Sequence, residues 1–237
     1  MCCAPFVTTA LSTMFSNWQG SPFTHDEITE AAEATRDYTV GSHDEAALFA
    51  VIYDINEDAQ KAGRATLSGA PDLPADGSMP RFDELAARLM LADDAYVLPS
   101  DALSHLDDVF TVVRTARTVL IVLAVVALVG CVTIASTRGR IQAGKTIMAS
   151  PGVVLVLFAG LALWAALDFD GFFAFIHSLF FTAGTWTFSA DSLLIRMYPE
   201  GFWTGMAVVW LATTTVACIV CLILGRLVKG KQHAVHH

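Results

Sequence analysis

An all-α membrane protein is the fold class this sequence predicts, on three observations. The first is a set of three stretches without any Asp, Glu, Lys or Arg: Thr118–Ser136, Thr146–Leu167 and Gly201–Gly225, of 19, 22 and 25 residues. A helix rising 1.5 Å per residue needs about 20 apolar residues to cross the hydrocarbon of a bilayer. The second is charge asymmetry. Residues 20–108 hold 19 of the 23 acidic residues but only 5 of the 14 basic ones, while the rest of the chain is net basic. The third is helix-start chemistry in the acidic region, where Thr24-His-Asp-Glu27 and Ser42-His-Asp-Glu45 both fit a capping box.

Taken in order, residues 1–18 carry no charge but are diluted by Thr, Ser and Asn. They are read as a short or truncated first span, with the true start upstream; the Cys2-Cys3 pair is a minor candidate for acylation. Residues 19–117 form an acidic extracytoplasmic region. Within it, helices are expected at roughly 25–38 and 43–62, a loop over 66–80 built on Ser68-Gly-Ala-Pro-Asp and Pro74-Ala-Asp-Gly, and a short helix near Phe82–Met90. The second helix, rich in large apolar residues, is expected to pack on the membrane surface or on its neighbours. A long helix opening at Pro99-Ser100 runs into the span at 118–136. A loop at 137–145, a span at 146–167, an outer segment at 168–200, a span at 201–225 and a tail at 226–237 complete the chain.

Orientation follows from Lys and Arg near span ends, which mark the cytoplasmic side. Arg138, Arg140 and Lys145 put the 137–145 loop inside, and Arg226, Lys229 and Lys231 put the tail inside. The acidic region and residues 168–200 then lie outside. Gly171–Ala190 has no charge and the length of a span, but crossing there would send the basic tail outside. An interfacial or re-entrant helix is therefore expected between the third and fourth of about four transmembrane helices. The localisation implied is the cell membrane, multi-pass. The acidic face disfavours nucleic acid as a partner.

Chemistry concentrates in few places. His177 stands in an aromatic stretch with Phe175, Phe180 and Phe181, and an ionisable residue at such a depth is either functional or a hydrogen-bonded structural histidine. His105 shares a helix face with Asp101 and Asp108 at i−4 and i+3, and a neighbouring carboxylate orients an imidazole. Arg114 and Arg117 stand at the outer boundary of the span, placed either to hold a lipid phosphate or to snorkel as anchors. Phe175, Trp186 and Asp191 are further candidates for substrate contact. His25 and His43 are explained by their capping boxes, and His233, His236 and His237 form a ragged tail. A zinc triplet from His105, Asp108 and His177 is conceivable, but no local spacing demands one. Neither a metal nor a cofactor is expected: there is no phosphate loop, G-x-S-x-G, H-E-x-x-H or dinucleotide fingerprint. Cys131, Cys218 and Cys221 lie inside spans and read as packing residues. The spans carry no charge with which to build a transporter's midplane site.

Several of these residues recur in a known pattern. His105-Leu-Asp-Asp-Val109 ahead of a span, Phe172-Phe-Ala-Phe-Ile-His177-Ser-Leu-Phe-Phe181, Trp186, and Leu193 to Tyr198-Pro199 ahead of the last span resemble the lipoprotein intramolecular transacylase (Lit) family of small bacterial membrane proteins. The resemblance covers about 100–205. It implies transfer of an acyl chain from the sn-2 position of a diacylglyceryl-modified cysteine to that cysteine's α-amino group. Diacylglyceryl-modified lipoproteins and membrane lipids are then the partners. The family's two external histidines fall on His105 and His177, and Asp108 would hold the tautomer of His105. The pattern departs at Phe110, where family members commonly carry Lys. Two other readings keep the scaffold: a phospholipid-directed hydrolase or acyltransferase using the same histidines, and a non-enzymatic membrane scaffold.

Overall fold

The computed structural model describes residues 5–74 and 80–230. Cys2-Cys3, the turn at Pro74-Ala-Asp-Gly beyond Pro74 itself, and the tail histidines His233, His236 and His237 lie outside the described residues. Among the described residues every regular element is a helix: α1 (Pro5–Phe15), α2 (His25–Val40), α3 (Glu45–Lys61), α4 (Phe82–Leu89), α5 (Ser100–Arg138), α6 (Arg140–Leu167), α7 (Phe169–Phe180), α8 (Leu193–Met197) and α9 (Glu200–Lys229). Three of them, α5, α6 and α9, are long and apolar enough to cross a membrane, and α7 is a shorter apolar helix.

The chain divides into two compact units. The first holds residues up to Arg114 together with His177–Met206. Its core gathers Ile28 and Tyr38 from α2, Leu48, Ile52 and Tyr53 from α3, Leu89 from α4, Tyr96, Leu103 from the start of α5, and Leu193 and Met197 from α8. Burying each large apolar side chain contributes about 1.5–3 kcal/mol. Helix α3 therefore spends its apolar face on its neighbours in this unit, the second of the two destinations expected for it. The buried Asn56 side-chain NH2 donates to the carbonyls of Ile52 (2.7 Å) and Tyr96 (2.9 Å), tying the segment before α5 to α3.

Helix starts follow the local chemistry, with one exception. Thr24 makes the capping box with Glu27 in both directions. Ser42 does not: α3 starts at Glu45, capped by the Asp44 carboxylate on the Ala47 N–H at 3.1 Å. The shift arises because His43 takes a left-handed conformation, φ 56°, so Ser42 cannot sit in line with the helix start. A second difference lies in the aromatic stretch. Helix α7 ends at Phe180, and residues 181–190 turn through Gly184 (φ 88°) and a Thr185 N–H to Thr182 carbonyl bond of 3.2 Å. Four residues among Thr, Ser and Gly in Thr182–Thr187 favour such a turn over continued helix.

An N-terminal anchor belongs to the same unit. Helix α1 lays Leu11 and Phe15 over Gly205 and Gly201 at the start of α9, so close that a Cβ on either glycine would meet a ring or methyl carbon at 2.7 Å. Arg36 of α2 reaches the Pro5 carbonyl and the hydroxyls of Thr8 and Thr9. The His25 ring meets the Thr13 carbonyl at 2.7 Å.

The second unit holds Thr115–Ile176 and the residues from Ala207 onward. Val and Leu side chains on α5, α6 and α9 are largely uncovered, Leu120, Val156 and Val208 among them. Such an extended apolar surface suits hydrocarbon and is untenable in water. Pro151 stands inside α6, which nevertheless runs unbroken. Helices α6 and α9 touch backbone to backbone. A Cβ on Gly144 would lie 2.6 Å from the Gly225 carbonyl oxygen and 2.8 Å from the Lys229 nitrogen, whereas Gly152 on the same helix has nothing within 4 Å. Small residues at such crossings let membrane helices approach closely. Gly144→Val is accordingly expected to lower the unfolding temperature of the detergent-solubilised protein by several degrees. Gly152→Ala should leave it unchanged or slightly raised, because Ala is the better helix former.

Candidate active site

The first unit brings two histidines together. His105 sits on the second turn of α5, and Leu103 and Leu106 on either side of it are buried in the core. His177 enters on the last turn of α7. Their ring centroids are 6.2 Å apart with planes inclined by 26°. Phe181 packs edge-on against His105 at 4.8 Å and lies 5.6 Å from His177. Phe188 closes on His105 at 5.7 Å and Trp186 on His177 at 4.9 Å. The loop that follows α7 therefore supplies an aromatic wall to both imidazoles.

His105 is 9% exposed, and its Nδ1 is buried without a hydrogen-bond partner. An imidazolium in apolar surroundings loses hydration that nothing here replaces. Burial, reinforced by the charge of the second imidazole, pushes His105 down to about 4 against an opposing pull from Asp108. His105 is thus a neutral imidazole through the physiological range, and the pair disfavours two positive charges at once.

Asp101 and Asp108 flank His105 as expected, but both face solvent while His105 turns inward. At 3.6 residues per turn, offsets of −4 and +3 place the two carboxylates about 40° and 60° from it around the axis, both on the same side. Asp108 acts on His105 through charge; it is not bonded to the unpartnered Nδ1. Asp191 forms an ion pair with Arg196 at 2.8 Å. Arg196, 5% exposed, also donates to the carbonyls of Asp191, Asn17 and Gln19. Asp191 so fixes the end of the loop bearing Trp186 and Phe188. Arg114 and Arg117 are exposed on α5, Arg114 in the first unit and Arg117 in the second. Phe175 belongs to the second unit, its ring 5.1 Å from Trp164. Among the described residues no three His, Cys, Asp or Glu side chains converge to hold a metal ion, so the conceivable zinc triplet is not assembled.

Phe188 and Arg196 escaped the sequence reading. Phe188 follows Trp186 at the two-residue spacing of an extended segment, which is the signal that would have marked it. Arg196 was visible as a lone basic residue among apolar ones, Leu-Leu-Ile-Arg-Met, a setting that calls for a paired charge.

These features define a helical protein with three helices long and apolar enough to cross a membrane and an adjacent pair of histidines, one buried and one half-buried, beside an aromatic wall. The chain belongs to the lipoprotein intramolecular transacylase Lit family, whose pattern matches residues 82–203, just over half of its length and both histidines included. Neither a curated protein nor a solved structure matches it.

The pH dependence of stability follows from His105. Its proton affinity is lower in the folded state than the ordinary 6.5, so between pH 6.5 and 4 the unfolded chain binds more protons. Its contribution to stability is complete above 6.5 and is lost as pH falls towards 4. Thermal unfolding of His105→Gln is expected to show a shallower pH dependence than the parent across that window, by up to one proton.

Proposed function

We propose that this chain catalyses the intramolecular acyl transfer for which its family is named: the sn-2 acyl group of a diacylglyceryl-modified cysteine moves to that cysteine's α-amine. The observation that carries the reading is the adjacent pair of imidazoles, one kept neutral by burial, in a chain of the Lit family. The amine nitrogen attacks the ester carbonyl carbon, and the tetrahedral adduct collapses with loss of the glycerol sn-2 oxygen. One C–N bond forms and one C–O bond breaks; the proton leaving nitrogen ends on the glycerol oxygen. The product is an isomer of the substrate.

A single proton carrier serves both halves of this sequence, and a neutral partner serves the oxyanion between them. His177 is assigned the shuttle. His105 is assigned the neutral role, donating an imidazole N–H to the developing oxyanion, with Asp108 favouring the polarised ring. Because amine and ester belong to one molecule, positioning supplies much of the acceleration. The aromatic wall of Phe181, Trp186 and Phe188 suits an acyl chain and excludes water that would hydrolyse the ester. No covalent acyl-enzyme is needed. Arg114 and Arg117 are assigned to lipid phosphate at the membrane boundary, and Phe175 to the acyl chain.

The topology proposed with this reading has about four spans, 1–18, 118–136, 146–167 and 201–225. Residues 19–117 and 168–200 face the extracytoplasmic side, and 137–145 and the tail face the cytoplasm. The charge distribution supports it, and it places the histidines on the side where a modified lipoprotein N-terminus resides.

The test is expression in a bacterium unable to N-acylate its lipoproteins, with mass spectrometry of a reporter lipoprotein's N-terminal peptide. The acyl chain should move to the α-amine at unchanged total mass. His177→Ala should reduce transfer on the order of 10²–10⁴-fold while the protein stays in the membrane. His105→Gln, which retains a neutral N–H donor, should exceed His105→Ala in residual transfer. Unmodified peptide alongside released fatty acid would instead identify a phospholipid-directed hydrolase.

A further inference from the structure

Away from the histidine pair, a third histidine is held with unusual firmness. His43, in the turn between α2 and α3, is the one non-glycine residue with positive φ among the described residues, at 56°. A side chain in this region is strained, and such strain persists only where surrounding contacts over-determine it. Those contacts are specific. The His43 ring stacks on Tyr38 of α2 at 4.4 Å and, on its other face, on Phe110 of α5 at 3.9 Å and 9°. Its Nδ1 meets the Tyr38 carbonyl at 3.1 Å, so this nitrogen carries the hydrogen. Its Nε2 faces an Asp107 carboxylate oxygen at 3.7 Å, and that same oxygen accepts the Tyr38 hydroxyl at 2.5 Å. Burial, with the bond to Asp107, pushes the Tyr38 phenol well above its ordinary range, so the hydroxyl remains a donor.

We propose that His43 is a positioning residue for the histidine pair: its ring, stacked between Tyr38 and Phe110 beside the Tyr38–Asp107 bond, clasps α5 so that the opposite side of the helix presents His105 to His177. The helical geometry makes this clasp a lever. Asp107 and Phe110 lie about 200° and 140° around the axis from His105, so a grip on them sets the rotation with which His105 enters the site. His105 needs such a setting from outside, because no hydrogen bond holds its buried Nδ1. Its ring takes its position from the helix backbone and from aromatic packing alone. The groups facing the clasp are Tyr38 from α2, Asp107 and Phe110 from α5, and Glu45 at the start of α3, whose charge acts on Tyr38.

The catalytic consequence rests on the transacylase reading, but the effect on His105 does not, and the experiment separates the two. His43→Gly and His43→Asn are made in the full chain; glycine removes the ring and the strain together, and asparagine tolerates the left-handed backbone while losing the stack. Three quantities are read on each: the unfolding temperature, kcat and KM of acyl transfer, and the titration midpoint of His105 by histidine-selective NMR. The expected result is an unfolding temperature within a few degrees of the parent, kcat lowered by about 10–100-fold with KM little changed, and a His105 midpoint moved from about 4 towards 6.5 as the ring becomes hydrated. An unchanged midpoint in both variants overturns the proposal, and so does a loss of kcat that merely tracks a loss of stability. Should the parent chain show no transfer, the midpoint alone decides, and the function fails independently of the clasp.

Discussion

Desolvation of one imidazole governs what the site can do, and much of the first unit serves to impose it. A histidine in water near neutral pH exchanges its proton freely. His105, walled by Phe181 and Phe188 and wedged between core leucines, does not. The cost of leaving Nδ1 unbonded is of the order of 1–3 kcal/mol, and a fold accepts such a cost only when other burial outweighs it. That burial is present on the same helix turns, where Ala102, Leu103 and Leu106 enter the core. The same residues that stabilise the start of α5 thus force His105 into an environment where it stays uncharged.

Each wall of that environment is held from a different part of the chain. The loop after α7 carries Phe181, Trp186 and Phe188, and its far end is fastened by Arg196, whose donors reach Asp191 and the segment between α1 and α2. A buried guanidinium with carbonyl acceptors and a carboxylate partner is stable only while all of them remain in place. Loop, N-terminal segment and α8 are in this way coupled. Tyr198, whose hydroxyl donates to the Ala32 carbonyl at 2.5 Å, and Thr35, which donates to the Met197 sulfur, join α8 to α2 as well. Helix α2 consequently touches both halves of the site, the loop side through α8 and the α5 side through Tyr38.

The parts of this arrangement visible in the sequence were those written in short-range patterns. Three uncharged runs gave the long helices, Thr24 and Glu27 gave the start of α2, and the helix opening at Ser100 was legible from Pro99-Ser100. His105 and His177 were legible as ionisable residues in apolar company. The Ser42 box failed because its spacing was right but the backbone between its ends was not: stacking of His43 on Tyr38 and Phe110 is a contact across 67 residues of chain, invisible to a four-residue motif. The aromatic run after Gly171 was read as one uncharged unit, and hydropathy alone cannot see that Gly184 turns the backbone midway. Asp107 was passed over for its neighbour Asp108 for a similar reason. On a helix their directions differ by about 100°, and only the packing of α2 shows that Asp107 is the bonded one.

The family match begins at residue 82 and so takes in α5, α7 and the loop beyond, but neither α2 nor the His43 turn. His43 and Tyr38 therefore fall outside that match, while Asp107, Phe110 and both histidines of the pair fall inside it. Phe110 is not idle surface: its ring forms one face of the stack on His43. A lysine there would offer an alkyl stem and a charge near the Asp107 carboxylate, so the clasp in its present form belongs to this combination of residues. The strained backbone at His43 is then the local cost of an aromatic grip on α5, offset by two ring contacts, a carbonyl bond and the Tyr38–Asp107 bond beside it. What the acidic region contributes to the site through this clasp is the rotation of α5 that turns His105 away from water.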